Sequence, residues 1–274
     1  MNKVATIILN RNLPLITNGL YERVKRIDGY LTDIYVVEAG SEKNNLSKYC
    51  TWYADWPEAC LHGLRYSRGM NYALSQLFKE NRFSKYNAFF LLTNDTEFGE
   101  EETLAPLMNV LSEHPRVGIL SPCSKCWGER LLLKENDTKY FWYIHNTAYL
   151  LRREYIESIM ERESPNYMNF LFDGNNFRGY GAESEIIAKG YANDWAAAIT
   201  NLVWAEENET HLMTKADLIR TETYEENIKL YLEEGRIWMR KKYGFNSRWS
   251  MQGYVKYFYD RFFEFHPEYE KYRI

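Results

Sequence analysis

The sequence predicts an α/β fold: a mostly parallel central sheet flanked by helices, followed by a helical C-terminal extension. Three observations carry this. Short apolar runs of β type alternate with segments of helical periodicity over the first half of the chain. These runs stop at small or polar residues of the kind that end strands. From residue 214 onward the pattern is helical alone. Strand–helix alternation implies right-handed βαβ units. A chain of 274 residues suffices for one large domain with a tail, and the division expected is 1–213 and 214–274.

The elements follow in order. Residues 4–10 form a buried strand that turns polar at Asn10-Arg11-Asn12, and residues 17–27 have helical spacing. Residues 33–38 form a second strand, ended by Ala39-Gly40-Ser41. Residues 69–80 are helical, with Met70, Ala73, Leu74, Leu77 and Phe78 on one face. Residues 88–93 form a third strand, ended by Asn94-Asp95. Residues 103–113 form a helix closed by Pro115, and residues 117–120 a fourth strand. The second half is less regular. Residues 140–151 are apolar but broken at His145-Asn146. Residues 170–181, rich in Gly, Asn and aromatic side chains, read as a loop, and a helix opens near Glu183. Helices are then expected over 221–235, 236–243 and 250–265. In a parallel sheet ligands bind beyond the carboxyl ends of the strands. Glu38 and Asp95, both at such ends, are therefore expected in one crevice.

Composition narrows the function classes. A formal net charge of −4 disfavours bulk nucleic-acid binding, which needs a basic surface to replace counterions. The apolar run at the N-terminus is too short for a signal segment, and no stretch reaches the length of a transmembrane helix. A cytoplasmic location is expected. The 45 aromatic residues (23 Tyr, 14 Phe, 8 Trp) serve either a Tyr-rich core or flat platforms for sugars and a nucleobase. Cys123 and Cys126 have zinc-knuckle spacing without a second close pair. Cys50 and Cys60 would complete a four-thiolate site only if the fold brought all four together.

Four constellations carry chemistry. Thr93-Asn94-Asp95-Thr96-Glu97 follows a buried strand, where a carboxylate can hold a divalent cation against a diphosphate or simply cap a turn. In Phe177-Arg178-Gly179-Tyr180-Gly181-Ala182-Glu183-Ser184-Glu185 a Gly-aromatic loop meets a helix start bearing two acids. Those acids serve either as a base in a cleft or as ordinary partners of the helix dipole. Arg68 and Asn71 stand near the start of a helix, where phosphate oxygens or solvent would meet them. His211 stands alone.

The order of these signals resembles the GT-A nucleotide-sugar glycosyltransferases, in particular the inverting family 2, over about residues 3–215. Val36-Val37-Glu38-Ala39-Gly40-Ser41 is similar to the family's Val-Val-Asp-Asn-x-Ser strand end. Leu91-Leu92-Thr93-Asn94-Asp95 is similar to its Leu-Leu-Asx-x-Asp metal motif. Arg68-Gly69-Met70-Asn71 resembles its Ala-Arg-Asn helix start, and Gly181-Ala182-Glu183-Ser184-Glu185 its Gly-Glu-Asp-x-Asp. The resemblance implies a donor nucleotide held by Asn10, Arg11, Glu38, Arg68, Asn71, Asn94 and Asp95. It implies Mg²⁺ or Mn²⁺ on Asp95 and His211, Glu183 as the base, and His145, Tyr180 and Glu185 on the acceptor side. Partners implied are a nucleoside-diphosphate sugar, with UDP favoured, and a glycan or lipid-linked acceptor. The sequence departs from the pattern in placing Thr93 where the first metal-motif acid stands, and Glu at positions 38 and 183 in place of Asp. The aromatic helix after Trp249 is expected to pack on the core, to pair two subunits or to touch a membrane surface.

Overall fold

A computed structural model describes residues 3–144, 148–208, 210 and 222–274. The central sheet contains β1 (Val4–Asn10), β2 (Thr32–Glu38), β3 (Cys50–Tyr53), β4 (Ala88–Thr93), β5 (Thr96–Phe98), β6 (Val117–Cys123), β7 (Thr138–Tyr140), β8 (Ala148–Arg152) and β9 (Ala196–Glu207). Its order is β3-β2-β1-β4-β8-β6-β9-β5, with β7 also paired to β9. Strands β1 to β4, β6 and β9 share one direction. β8 runs against β4 and β6, and β5 and β7 run against β9.

The helices that position the site are α1 (Pro14–Asp28), α2 (Pro57–His62), α3 (Arg65–Lys79), α4 (Leu104–Glu113), α5 (Arg153–Ile159) and α6 (Ala182–Ala192). The α3 face expected from periodicity is the buried one: Met70, Ala73, Leu74 and Leu77 are inaccessible, and Phe78 packs at its edge on Phe83 and Phe170. Strands β1 and β4 are buried almost throughout, as continuous apolar runs in a sheet covered on both faces require.

The tail forms α7 (Tyr224–Tyr243) and α8 (Arg248–Phe265). The break expected after Gly235 is absent. Gly235 is a mid-helix glycine at a close approach, since a Cβ there would lie 2.4 Å from the Cβ of Tyr180. Thr223 caps α7 and Ser247 caps α8, each accepting from a backbone N–H three residues on. Val255, Tyr259, Phe262 and Phe263 of α8 belong to the main core together with Tyr140 and Tyr191. Much of the Tyr-rich composition is thus core. The aromatic face considered for subunit pairing or membrane contact is spent inside the molecule, leaving Trp249, Tyr257 and Phe265 exposed. Among the described residues no helix is long and apolar enough to cross a membrane.

Candidate active site

The carboxyl ends of β1, β2 and β4 are tied by one buried polar network. Asn10 Nδ2 donates to Glu38 Oε2 at 2.8 Å, Ser41 Oγ donates to the same oxygen at 2.6 Å, and the Ser47 backbone N–H donates to Oε1 at 2.7 Å. Asn10 Oδ1 accepts from Leu13 N, Thr17 Oγ1 and Asn94 Nδ2. Asn10 and Glu38 are both inaccessible. Both side chains are enclosed by protein partners. A buried carboxylate needs donors, and this one takes all of its own from the loops it organises. Arg11 is likewise committed: its guanidinium donates to the carbonyls of Ala39, Ala59, Cys60 and Leu61, pinning the carboxyl end of α2 to the sheet.

Asn71 is held in a similar way. Its Oδ1 accepts from Leu171 N and Phe172 N and its Nδ2 donates to the Phe172 carbonyl, so it clips the 167–172 loop onto α3 and has no accessible surface. Glu185 is 1% exposed and accepts from Lys242 Nζ at 2.6 Å and Tyr243 Oη at 2.5 Å. It anchors α7 to α6 and is closed to an acceptor. Asp173 completes that anchor. Burial alone would raise its pKa, but hydrogen bonds from Lys242 and Trp238 outweigh it and hold the carboxyl at about 2.

Two acids remain at the open end of the sheet. Asp95 follows β4. Its backbone carbonyl accepts from Asn208 N at 2.9 Å, and the adjoining β5 pairs with the end of β9. It lines a cleft of about 330 Å³ against α1. Glu183 is half-buried in the first turn of α6, where the helix dipole favours its charge. The turn into α6 needs Gly181, which stands at φ 77° in the left-handed region. Three phenols feel the charge of Glu183: Tyr66 of α3, Tyr149 of β8 and Tyr231 of α7. Burial raises all three pKa values above the ordinary one, and the charge on Glu183 adds to the effect, so they stay protonated. Tyr149 pairs with Leu91, four residues before Asp95. α6 leads through a short turn into the start of β9, so its first turn, with Glu183, lies toward the carboxyl ends of the parallel strands, the end where Asp95 follows β4. No local pattern marks Tyr149 or Tyr231 as neighbours of a site. Tyr66 stood beside Arg68 in a segment singled out for its arginine.

Arg68 opens onto a different cleft, of about 800 Å³, which shares no lining residue with that of Asp95. Tyr180 packs edge-on against Tyr231 of α7 at 4.9 Å. His145 and His211 lie outside the described residues. Among the described residues no three His, Cys, Asp or Glu side chains come together to hold a metal, so the four cysteines form no joint site. The described residues thus offer a divalent cation Asp95, a hard oxygen ligand. That suits Mg²⁺ or Mn²⁺, which takes one or two carboxylates and completes its shell with phosphate oxygens and water.

No protein-family model matches the chain, and no curated protein matches it in sequence. Solved structures do match in fold. GalNAc-T7, solved with UDP, GalNAc and Mn²⁺, superposes at a TM-score of 0.56 with 10% identity, over 96% of this chain and 56% of its own. This chain therefore spans little more than half the length of that protein. Residues 1–349 of TarS from S. aureus superpose at 0.51 with 13% identity, over 88% and 73%. The mannosyltransferase PcManGT from Pyrobaculum calidifontis, in complex with GDP-Man and Mn²⁺, superposes at 0.50 with 14% identity, over 85% and 68%. The strand order, the reversed β8 and these superpositions together show that the chain has the GT-A fold.

Proposed function

We propose that this protein is a glycosyltransferase that moves a sugar from a nucleoside-diphosphate donor to an acceptor hydroxyl by inverting single displacement. The observation that carries the reading is the placement of Glu183 and Asp95 at one end of a GT-A sheet, with protonated phenols that feel the charge of the first. The donor nucleotide is UDP by the resemblance, and the acceptor is a glycan or lipid-linked glycan, as in polysaccharide biosynthesis.

Glu183 takes the proton from the acceptor hydroxyl as that oxygen attacks the anomeric carbon. General-base help of this kind contributes about 10²–10⁴-fold. The buried rings of Tyr66, Tyr149 and Tyr231 limit water on this side of the carboxylate. Asp95 faces the leaving diphosphate and would hold Mg²⁺ or Mn²⁺ there. When bound, such an ion neutralises charge that builds on the diphosphate. Glu38, Asn10, Asn94 and Thr17 act by fixing the strand ends beneath the donor.

One observation favours a second reading, a binding protein without turnover: Thr93 stands where the resembled metal motif has its first acid. Thermal unfolding with UDP, GDP, dTDP and CMP, each with and without Mn²⁺, tests the donor site. A ligand of the folded state at a hundredfold excess over Kd stabilises by about 2.7 kcal/mol. A shift with one diphosphate supports the proposal, and its dependence on Mn²⁺ tests Asp95. No shift with any nucleotide overturns the donor site. Binding without release of free diphosphate or transfer selects the second reading.

A further inference from the structure

The 800 Å³ cleft lies between α2, the start of α3, the 167–178 loop and α7. Three guanidinium groups converge there on one phenyl ring: Arg68 stands 4.6 Å from the centroid of Phe177, and Arg65 and Arg178 each 5.5 Å. Like charges so close need anions. Two of the three are answered from within. Arg65 and Arg178 share Glu222, at 2.8 and 2.5 Å, and Arg178 also pairs with Glu234. Arg68 is not answered. Its Nε donates to the Gly174 carbonyl at 2.8 Å, and among the described residues no carboxylate pairs with it. Burial pulls its pKa below the usual arginine value, as expected of a desolvated cation. The opposite wall is aromatic, with Trp56 and Tyr167 at a centroid distance of 5.1 Å. Glu58 and Glu226 stand exposed at the rim.

We propose that this cleft binds a saccharide carrying a single negative charge, a uronate or a phosphodiester-linked sugar, with its anion on Arg68 and its ring against Trp56 and Tyr167. The charge count sets the ligand class. The inner group of three guanidiniums and two carboxylates, Glu222 and Glu234, carries one positive charge, centred on Arg68, while the exposed Glu58 and Glu226 make the rim negative. A ligand bearing two or more would meet the rim carboxylates uncompensated. A neutral sugar would leave the half-buried guanidinium unanswered. Aromatic faces supply the flat apolar contact that a pyranose offers, and the rim acids accept from its hydroxyls. This rests on the reading of the chain as an enzyme of saccharides, and it makes the cleft an acceptor site, separate from the donor.

The test is direct binding without donor, metal or turnover, followed by tryptophan fluorescence and calorimetry. The probes are methyl glucuronoside, methyl glucoside, glucose 1-phosphate and UDP. The glucuronoside is expected to bind at least tenfold more tightly than the glucoside and more tightly than the dianionic glucose 1-phosphate. Arg68→Gln should reduce its affinity to that of the glucoside. Because Arg68 also holds the 174 carbonyl, Trp56→Leu on the opposite wall is the second variant, expected to weaken both glycosides alike. Equal binding of the two glycosides, or binding of neither, overturns the proposal. Competition by UDP overturns it too, because the cleft would then belong to the donor. A chain that failed every nucleotide test above would still give a positive result here if the cleft is assigned correctly.

Discussion

The strand ends and the start of α6 both carry paired acids, and they use them in opposite ways. At the strand ends Glu38 is sealed beneath three donors while Asp95 reaches a cleft. At the start of α6, Glu185 is sealed against Lys242 and Tyr243 while Glu183, two residues earlier, stays half-open among phenols. In each region one acid holds the frame, and in the proposed mechanism the other does the chemistry. The acid of each pair that is inaccessible and bonded to groups of the protein is the structural one. Type and position along the chain do not separate them.

The comparison is broken most severely by removing a framing acid. Glu38→Ala strands the donors of Asn10, Ser41 and Ser47 and should cost about 3–5 kcal/mol, read by denaturant unfolding. A loss below about 1 kcal/mol would mean that the network is not closed as described. Next is the seam between α7 and the loop before Glu183. Gly235→Ala places a methyl group against Tyr180 and should cost about 1–3 kcal/mol, while displacing Tyr231 from Glu183. Activity falling more steeply than stability would sharpen the claim that Tyr231 limits water at the base.

The smallest effect is acid loosening of α7. Asp173 has a depressed pKa in the fold, so its contribution is present above the unfolded value, near 3.9, and is lost as pH falls towards about 2. With Asp173 partly solvent-screened, the loss amounts to about 1–2 kcal/mol. Near-ultraviolet dichroism of Trp238 between pH 5 and 2 would follow it. Lys242→Met should abolish that pH dependence.

The strands were legible because burial on both faces writes continuous apolar runs: residues 4–10 and 88–93 match β1 and β4 end for end. What went unread has physical causes. β9 begins Ala196-Ala197-Ala198, which carries no strand signature and is held by pairing with β6 and β7. β3 is a four-residue edge strand and β5 a three-residue strand at the other end of the sheet, too short for periodicity. At the site, position was readable and accessibility was not. Asn71 and Glu38 stand at plausible ligand positions, but the groups that occupy Asn71 come from about 100 residues away, and those on Glu38 combine Asn10, 28 residues back, with Ser41 and Ser47 of the loop that follows it. The Arg68 cleft depends on Glu222, just before α7, and Glu234 within it, which no local pattern connects to residue 68.

The account turns on Glu183 being the open acid. The decisive measurement is sugar transfer and diphosphate affinity in the native protein, Glu183→Gln and Glu185→Gln, with unfolding recorded for each. Glu183→Gln is predicted to cut turnover by about 10²–10⁴-fold with affinity and stability unchanged, and Glu185→Gln to lower stability first. Retained turnover in Glu183→Gln would contradict the account.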